Sequence, residues 1–177
     1  MRQALPKGLV RENVNVPERQ SIGFDYMRLQ TEASSDSEVT RQAVRHLEQW
    51  AEDEKHGIRL GFEKGGHERM FSLETLRDPS DAPKNYRRTS LIFYKRQLKS
   101  VEHMRTMLGA KDTSEVIRLA LRFYKMLIRM AVAGARFFVV MPDNGERFFI
   151  RIITLAKPVV VRAKFGQTAD KPKGGAS

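Results

Sequence analysis

The chain of 177 residues suits one domain or two small ones with a modest core, and its 41% apolar content is typical of a globular protein. It contains no cysteine, which excludes disulfide scaffolds and cysteine-ligated metal sites. The net charge of +11 is unevenly placed, because residues 1–87 carry 14 basic and 15 acidic side chains whereas residues 88–177 carry 18 and 6. This concentration of positive charge favours a polyanionic partner, most commonly nucleic acid, although solubility or binding to a membrane surface would also explain it.

The N-terminal stretch MRQALPKGLVREN has no apolar core of the length that a signal peptide needs. The most apolar stretch, Ala120 to Met141, is interrupted by four basic residues and so does not predict a membrane span. We therefore expect a soluble, cytoplasmic protein without a membrane partner.

An internal repeat with an offset of 77 residues runs through the chain, and its clearest part aligns residues 33–50 with residues 110–127. The same offset pairs Arg11 with Arg88 and Gly57 with Gly134. A duplication explains one register kept over this distance. The identities in the clearest part are Ala33, Ser37, Glu38, Val39, Arg41, Ala43 and Arg45, which recur as Ala110, Ser114, Glu115, Val116, Arg118, Ala120 and Arg122.

The first unit predicts a strand, two helices and a hairpin, followed by a polar linker with two prolines. Its second helix has an apolar face that includes Trp50, and Gly57 is placed at its C-terminus. The predicted elements are, in chain order, a strand at Arg11–Val16, a helix near 17–31, a helix at Ser37–Lys55, and a hairpin of 58–62 and 70–73 around Gly65-Gly66.

The second unit predicts the same order. Its hairpin has a strong turn signal in Pro142-Asp143-Asn144-Gly145. The predicted elements are a strand at Arg88–Phe93, a helix near 95–108, a helix at Ser114–Ala133, and hairpin strands at 137–140 and 148–150. The predicted organisation is therefore a first unit at 1–76, a linker at 77–87, a second unit at 88–164 and a disordered basic tail at 165–177.

A strand followed by two helices, with Ser-Glu-Val opening the second helix, resembles the ribbon-helix-helix family of DNA-binding proteins, which includes the Arc and methionine repressors. The matching residues are Asn13–Pro17 with Ser37–Val39, and Ser90–Phe93 with Ser114–Arg118. The resemblance covers about residues 11–56 and 88–133. It implies an α+β fold of tandem ribbon-helix-helix repeats forming a single-chain pseudo-dimer, with a β-hairpin after each repeat. Tandem copies in one chain also resemble TraY-type accessory proteins of conjugation and accessory proteins of T-DNA transfer.

In that family an antiparallel two-stranded ribbon fills the DNA major groove. Side chains alternate along a strand, so Val14 and Val16 can face the helices while their neighbours face the bases. Arg pairs well with guanine and Asn with adenine, whereas Ile92 could make only an apolar contact. Ser37 and Ser114 are predicted N-caps beside phosphate, because free amides at a helix start can bind it. The implied base-reading residues are Arg11, Asn13, Asn15, Arg88, Ser90 and Ile92, and the implied phosphate-binding residues are Ser37, Ser114, Lys95 and Arg96.

The simplest model pairs the two strands within one chain, with Asn13–Val16 beside Ser90–Phe93, and buries Trp50 and Leu127 where the second helices cross. The rival model pairs each copy with another chain, and a higher oligomer on DNA is open in either case. Because the copies differ, the single-chain model predicts an asymmetric DNA site.

The predicted function is sequence-specific binding of double-stranded DNA, by a transcriptional regulator or an accessory factor of a mobile element. Other DNA-processing or regulatory proteins could then dock on the hairpins. The alternative is a protein-interaction module that uses the hairpins, with basic charge only for solubility. Signals of an enzyme are weak, so we predict no catalysis, cofactor or metal: His46, His56, His67 and His103 lack metal-ligand spacing, and no nucleophile elbow or phosphate-binding glycine loop occurs.

Overall fold

The computed structural model describes residues 5–77 and 85–155 and has a mixed α+β fold with two antiparallel sheets. Strand, helix, helix and hairpin follow one another twice. The first series consists of β1 (Leu9–Pro17), α1 (Glu18–Thr31), α2 (Asp36–Lys55), β2 (Arg59–Lys64), β3 (His67–Met70) and the short helix α3 (Leu73–Leu76). The second consists of β4 (Tyr86–Tyr94), α4 (Lys95–Met107), α5 (Thr113–Val132), β5 (Arg136–Val140) and β6 (Arg147–Ile150).

Both ribbon strands are longer than the sequence predicted. Each has nine residues, and β4 begins at Tyr86, inside the predicted linker at 77–87. Residues 78–84 of that linker and the predicted tail at 165–177 lie outside the described residues.

The strands β1 and β4 pair antiparallel within the one chain, as the single-chain model predicted. The predicted register was wrong, because Asn13–Val16 lies beside Arg87–Ser90 rather than beside Ser90–Phe93. Asn13 faces Ser90, and these two residues occupy the same position in the repeat. Antiparallel pairing of two equivalent strands about a shared central position relates the copies by an approximate twofold axis through that pair.

A shared hydrophobic core lies behind the ribbon, where α2 and α5 pack together. Trp50 and Leu127 are buried there, which confirms the prediction, and the Trp50 ring stacks on Phe123 with centroids 4.8 Å apart. The inner side of the ribbon closes the core with Val14, Val16, Leu91 and Phe93, all fully buried.

The two hairpins join into one four-stranded sheet in the order β3-β2-β5-β6. The predicted return strand at 70–73 was wrong, because it is displaced to His67–Met70. Gly65 and Gly66 both have positive φ, 57° and 77°, so a two-residue turn returns the chain at once. Ser72 then accepts a hydrogen bond from the Thr75 amide and caps α3.

Candidate nucleic-acid interface

The outer side of the β1–β4 ribbon is a polar surface that points away from the core. Its middle consists of three cross-strand pairs, Arg11 with Ile92, Asn13 with Ser90, and Asn15 with Arg88. All six predicted base-reading residues therefore lie on one face, and every one is exposed except Ile92, which is partly buried. The alternation with buried Val14, Val16, Leu91 and Phe93 produces this arrangement, since successive side chains point to opposite faces.

The approximate twofold axis gives this face a symmetric part and an asymmetric part. Adding or subtracting 77 converts the pair Arg11–Ile92 into Arg88–Asn15. The two arginines thus occupy equivalent places on either side of the axis, whereas Asn15 is matched by Ile92. At the axis itself, the Ser90 hydroxyl donates to Asn13 Oδ1 at 2.9 Å.

The start of α2 holds the ribbon strand of the other copy through two hydrogen bonds. The Ile92 amide donates to the Ser37 hydroxyl oxygen at 2.9 Å, and the Arg41 guanidinium donates to the Ile92 carbonyl at 2.9 Å. Ser37 and Arg41 are one helical turn apart, so a single face of α2 binds both the backbone amide and the backbone carbonyl of Ile92.

The start of α5 repeats this arrangement on the strand of the first copy. The Asn15 amide donates to the Ser114 hydroxyl oxygen at 3.4 Å, and Arg118 donates to the Asn15 carbonyl at 3.1 Å. Asn15 and Ile92 are equivalent residues, as are the two serines and the two arginines. Each copy therefore positions the ribbon strand of the other copy.

The prediction that Ser37 and Ser114 are N-caps was wrong. The caps are Ser35 and Asp112, which accept from the amides of Glu38 and Glu115 at 3.2 Å and 2.7 Å. The segment 34–37 offers several residues able to cap, and sequence patterns do not decide among them. Ser37 and Ser114 lie in the first turn instead, where their hydroxyls meet the ribbon amides.

The first turn of each of these helices also contains a glutamate whose carboxylate accepts hydrogen bonds from a residue that precedes the helix. Glu38 accepts from the hydroxyl and amide of Ser34, each at 2.7 Å, and these bonds hold the pKa of its carboxyl below the ordinary value. Glu115 accepts from the Lys111 amide at 2.7 Å. The helix starts beside the ribbon are therefore fixed from both sides.

Tyrosines with arginines over their rings flank the two ends of the ribbon. At one end Arg41 and Arg96 lie over Tyr94, with 5.6 Å and 5.9 Å to the ring centroid, and at the other Arg118 lies 5.5 Å from the Tyr86 centroid. Lys95 and Arg96, which the sequence suggested as phosphate ligands, are exposed beside Tyr94. The equivalent of Lys95 is Glu18, so the ends differ in charge.

The sequence interpretation missed Arg41, Arg118, Tyr86 and Tyr94 as parts of this site. The two arginines had a detectable signal, because both recur at the offset of 77 and both follow a site serine by four residues. The tyrosines had none, since the offset relates Tyr94 to Pro17 and Tyr86 to Leu9. Their similar places arise only from cross-strand pairing, in which Tyr86 faces Pro17.

Within residues 5–77 and 85–155, no group of three or more His, Cys, Asp or Glu side chains is arranged to hold a metal ion. In the same part of the chain, no helix combines the length and apolarity needed to cross a membrane. Comparison of the chain with protein-family models, with curated proteins and with solved structures gave no match.

Proposed function

We propose that this protein binds double-stranded DNA sequence-specifically as a single-chain pseudo-dimer of ribbon-helix-helix repeats, with the β1–β4 ribbon in the major groove. The observation that carries the proposal is the outer face of the ribbon, where Arg11, Asn13, Asn15, Arg88 and Ser90 are exposed together, while the inner face buries Val14, Val16, Leu91 and Phe93. A two-stranded ribbon fits the major groove, and these side-chain types can form paired hydrogen bonds with base edges.

The parts around the ribbon suit the same task. Arg11 and Arg88 lie at equivalent distances from the twofold axis, where each can reach a guanine in its own half of the site. The cross-copy hydrogen bonds of Ser37 and Ser114 fix the strand backbone before DNA arrives, which lowers the ordering cost of binding. A hydroxyl that accepts from an amide keeps its own proton, which it can donate to a phosphate oxygen.

We expect the second copy to make most of the phosphate contacts, because it carries most of the net positive charge. Lys95 is exposed where the first copy has Glu18 at the matching place, whereas the equivalent of Arg96 is Arg19. Cations beside the groove position a protein on the duplex, while base contacts specify the sequence. In this proposal the protein is a transcriptional regulator or an accessory DNA-processing factor of a mobile element.

Selection of binding sites from random duplex DNA tests the proposal. We expect one enriched, asymmetric site, and binding that weakens steeply with salt, with a logarithmic slope of about 0.9 per phosphate contact. Absence of enrichment, together with a flat salt dependence, would contradict it.

The rival function is a protein-interaction module based on the four-stranded sheet. It is favoured by the apolar side chains that the sheet exposes, Met70, Phe148, Phe149 and Ile150. The ribbon and the sheet are separate surfaces, so substitutions distinguish the two functions. Phe148→Ser should leave DNA binding unchanged if the ribbon is the functional site, whereas loss of ribbon arginines should abolish it.

A further inference from the structure

The two central helices, α2 and α5, each carry a row of charged side chains. The two rows have the same sign of charge near the ribbon and opposite signs farther from it. On α5 the residues Arg118, Arg122, Lys125 and Arg129 follow one another at helical spacing and none is buried. Their equivalents on α2 are Arg41, Arg45, Glu48 and Glu52, again none of them buried. The half of each row next to the ribbon is therefore the same, whereas the far halves are opposite.

The far half on α5 forms a basic flank, which we define by Lys125 and Arg129. These residues line a groove between α5 and α1, whose floor includes Met27 and Met130. The Lys125 side chain lies across Gly23 of α1, where a Cβ added to the glycine would lie 3.3 Å from the ammonium nitrogen. Among the described residues, no carboxylate is within ion-pair distance of either cation.

The far half on α2 forms an acidic flank, which we define by Glu48 and Glu52, on the side where α2 packs against α4. Glu52 contacts His103 Nε2 at 3.3 Å and Lys55 at 3.8 Å, and its side chain remains 35% exposed. Asp53 and Glu54 follow directly, so the end of α2 has four carboxylates and one lysine. Even with the lysine and the histidine beside it, this end of the helix remains negative.

The approximate twofold axis determines how the flanks are placed. A half-turn about an axis between α2 and α5 places equivalent surfaces on opposite sides of that axis, here the basic flank beside α1 and the acidic flank beside α4. The acidic and basic flanks of one molecule therefore cannot meet each other, but each can meet the opposite flank of another molecule. A contact between unlike surfaces is heterologous and continues into an open chain unless it closes into a ring.

We propose that the acidic flank of each molecule docks on the basic flank of a second copy, so that molecules associate head to tail. The charge complementarity between Glu48 and Glu52 on one molecule and Lys125 and Arg129 on the next selects this occupant. The proposal concerns the protein without DNA and so stands apart from the proposed function. On DNA, it would align several ribbons on adjacent sites.

Charge reversal tests this proposal, because each flank can be given the residues that the other copy has at the same places. The variant Glu48→Lys/Glu52→Arg has two basic flanks, and the variant Lys125→Glu/Arg129→Glu has two acidic flanks. Sedimentation velocity of the full chain over a range of concentrations, at about 50 mM and about 500 mM salt, reports association without DNA. A thermal melt checks that each variant is folded.

We expect the wild-type sedimentation coefficient to rise with concentration at low salt and to lose that dependence at high salt, since the contact is between exposed charges. Each reversed variant alone should sediment as a monomer. Mixing the two variants should restore association, and so should all four substitutions in one chain. A wild-type monomer at every concentration, variants that associate like the wild type, or a mixture that stays monomeric would each overturn the proposal.

Discussion

Asn13 and Ser90 face each other at the centre of the β1–β4 ribbon, and the Ser90 hydroxyl donates to Asn13 Oδ1 at 2.9 Å. They are the same position in the two copies, so the approximate twofold axis passes between them. If the ribbon binds DNA as proposed, the residues on either side of this pair would face the two halves of the DNA site. The hydrogen bond also fixes the Asn13 amide plane while leaving its two N–H donors to a base.

The first prediction concerns Asn13. If it reads a base, Asn13→Ala should weaken binding to the selected site by about 1–3 kcal/mol, the range for a lost base contact. Binding to random duplex should change little, because phosphate contacts supply most of it. Competition binding with both DNAs measures the difference. Ser90→Ala keeps the Asn13 amide but removes its orienting hydrogen bond and one proposed base contact, so it should also weaken binding to the selected site. Equal losses on both DNAs would argue against base reading.

The second prediction concerns the hydrogen bonds between the copies. Ser37→Ala leaves the Ile92 amide without its acceptor at a partly buried position and should lower the free energy of unfolding by about 1 kcal/mol. Ser114→Ala is the matched variant and should cost less, because its bond to the Asn15 amide is 3.4 Å long and exposed. Urea unfolding measures both. A larger loss for Ser114→Ala would reverse the assigned ranking.

The third prediction concerns Gly61, in the middle of the four-stranded sheet. An added Cβ would lie 2.6 Å from Phe138 Cζ and 2.7 Å from Met70 Sδ. Since Phe138 is itself buried, Gly61→Ala should destabilise the protein by about 1–3 kcal/mol. The loss should shrink in a Phe138→Leu background, because the shorter side chain makes room. Additive losses in the double variant would show that Phe138 is not the obstacle.

Much of the α+β arrangement could be predicted from the sequence, because the repeat supplies the ribbon strand, both long helices and the hairpin twice. Trp50 in one helix and Leu127 in the other lie on apolar faces with clear helical spacing, and both are buried as expected. Pairing of the two ribbon strands within one chain could also be predicted, because each ribbon strand needs a partner strand. The register of that pairing could not be predicted, since alternation along a strand determines which face points inward but not which residue lies opposite Asn13.

The rest depends on contacts between residues distant in sequence. Strands β2 and β5 pair and so join the two hairpins into one sheet. No sequence pattern predicts this pairing, because the turn residues of each hairpin specify only the hairpin itself. The role of Ser37 was misread for the same reason: it stands in a run of residues able to cap a helix, and only the proximity of the Ile92 amide, 55 residues away, decides what its hydroxyl does.

The fourth prediction concerns pH and His46. Its ring stacks on Tyr124 with centroids 5.2 Å apart, and burial, aided by the charge of Arg45, lowers the pKa of His46 below its ordinary value of 6.5. The unfolded chain therefore binds this proton more readily than the folded one, and stability should fall as the pH drops below 6.5. His46→Phe keeps a ring on Tyr124 and should flatten this slope in urea titrations. A variant slope equal to that of the wild type would contradict the assignment.

The fifth prediction concerns the asymmetry of the DNA site. Asn15 and Ile92 are equivalent residues, yet only Asn15 can form paired hydrogen bonds with a base. Ile92→Asn gives both copies the same outward residue here, so the sites selected by this variant should become more nearly palindromic, with the base preference of Asn15 appearing in both halves. Asn15→Ile should remove that preference and leave the positions read by Arg11 and Arg88 unchanged. Both backbone groups of each residue remain held by the serine and arginine of the other copy, so the substitutions alter the side chain presented without altering how the strand is held.

Selection from random duplex with each variant measures the change. If both variants select the wild-type site, residues 15 and 92 do not face the bases, and the major-groove placement of the ribbon must be abandoned.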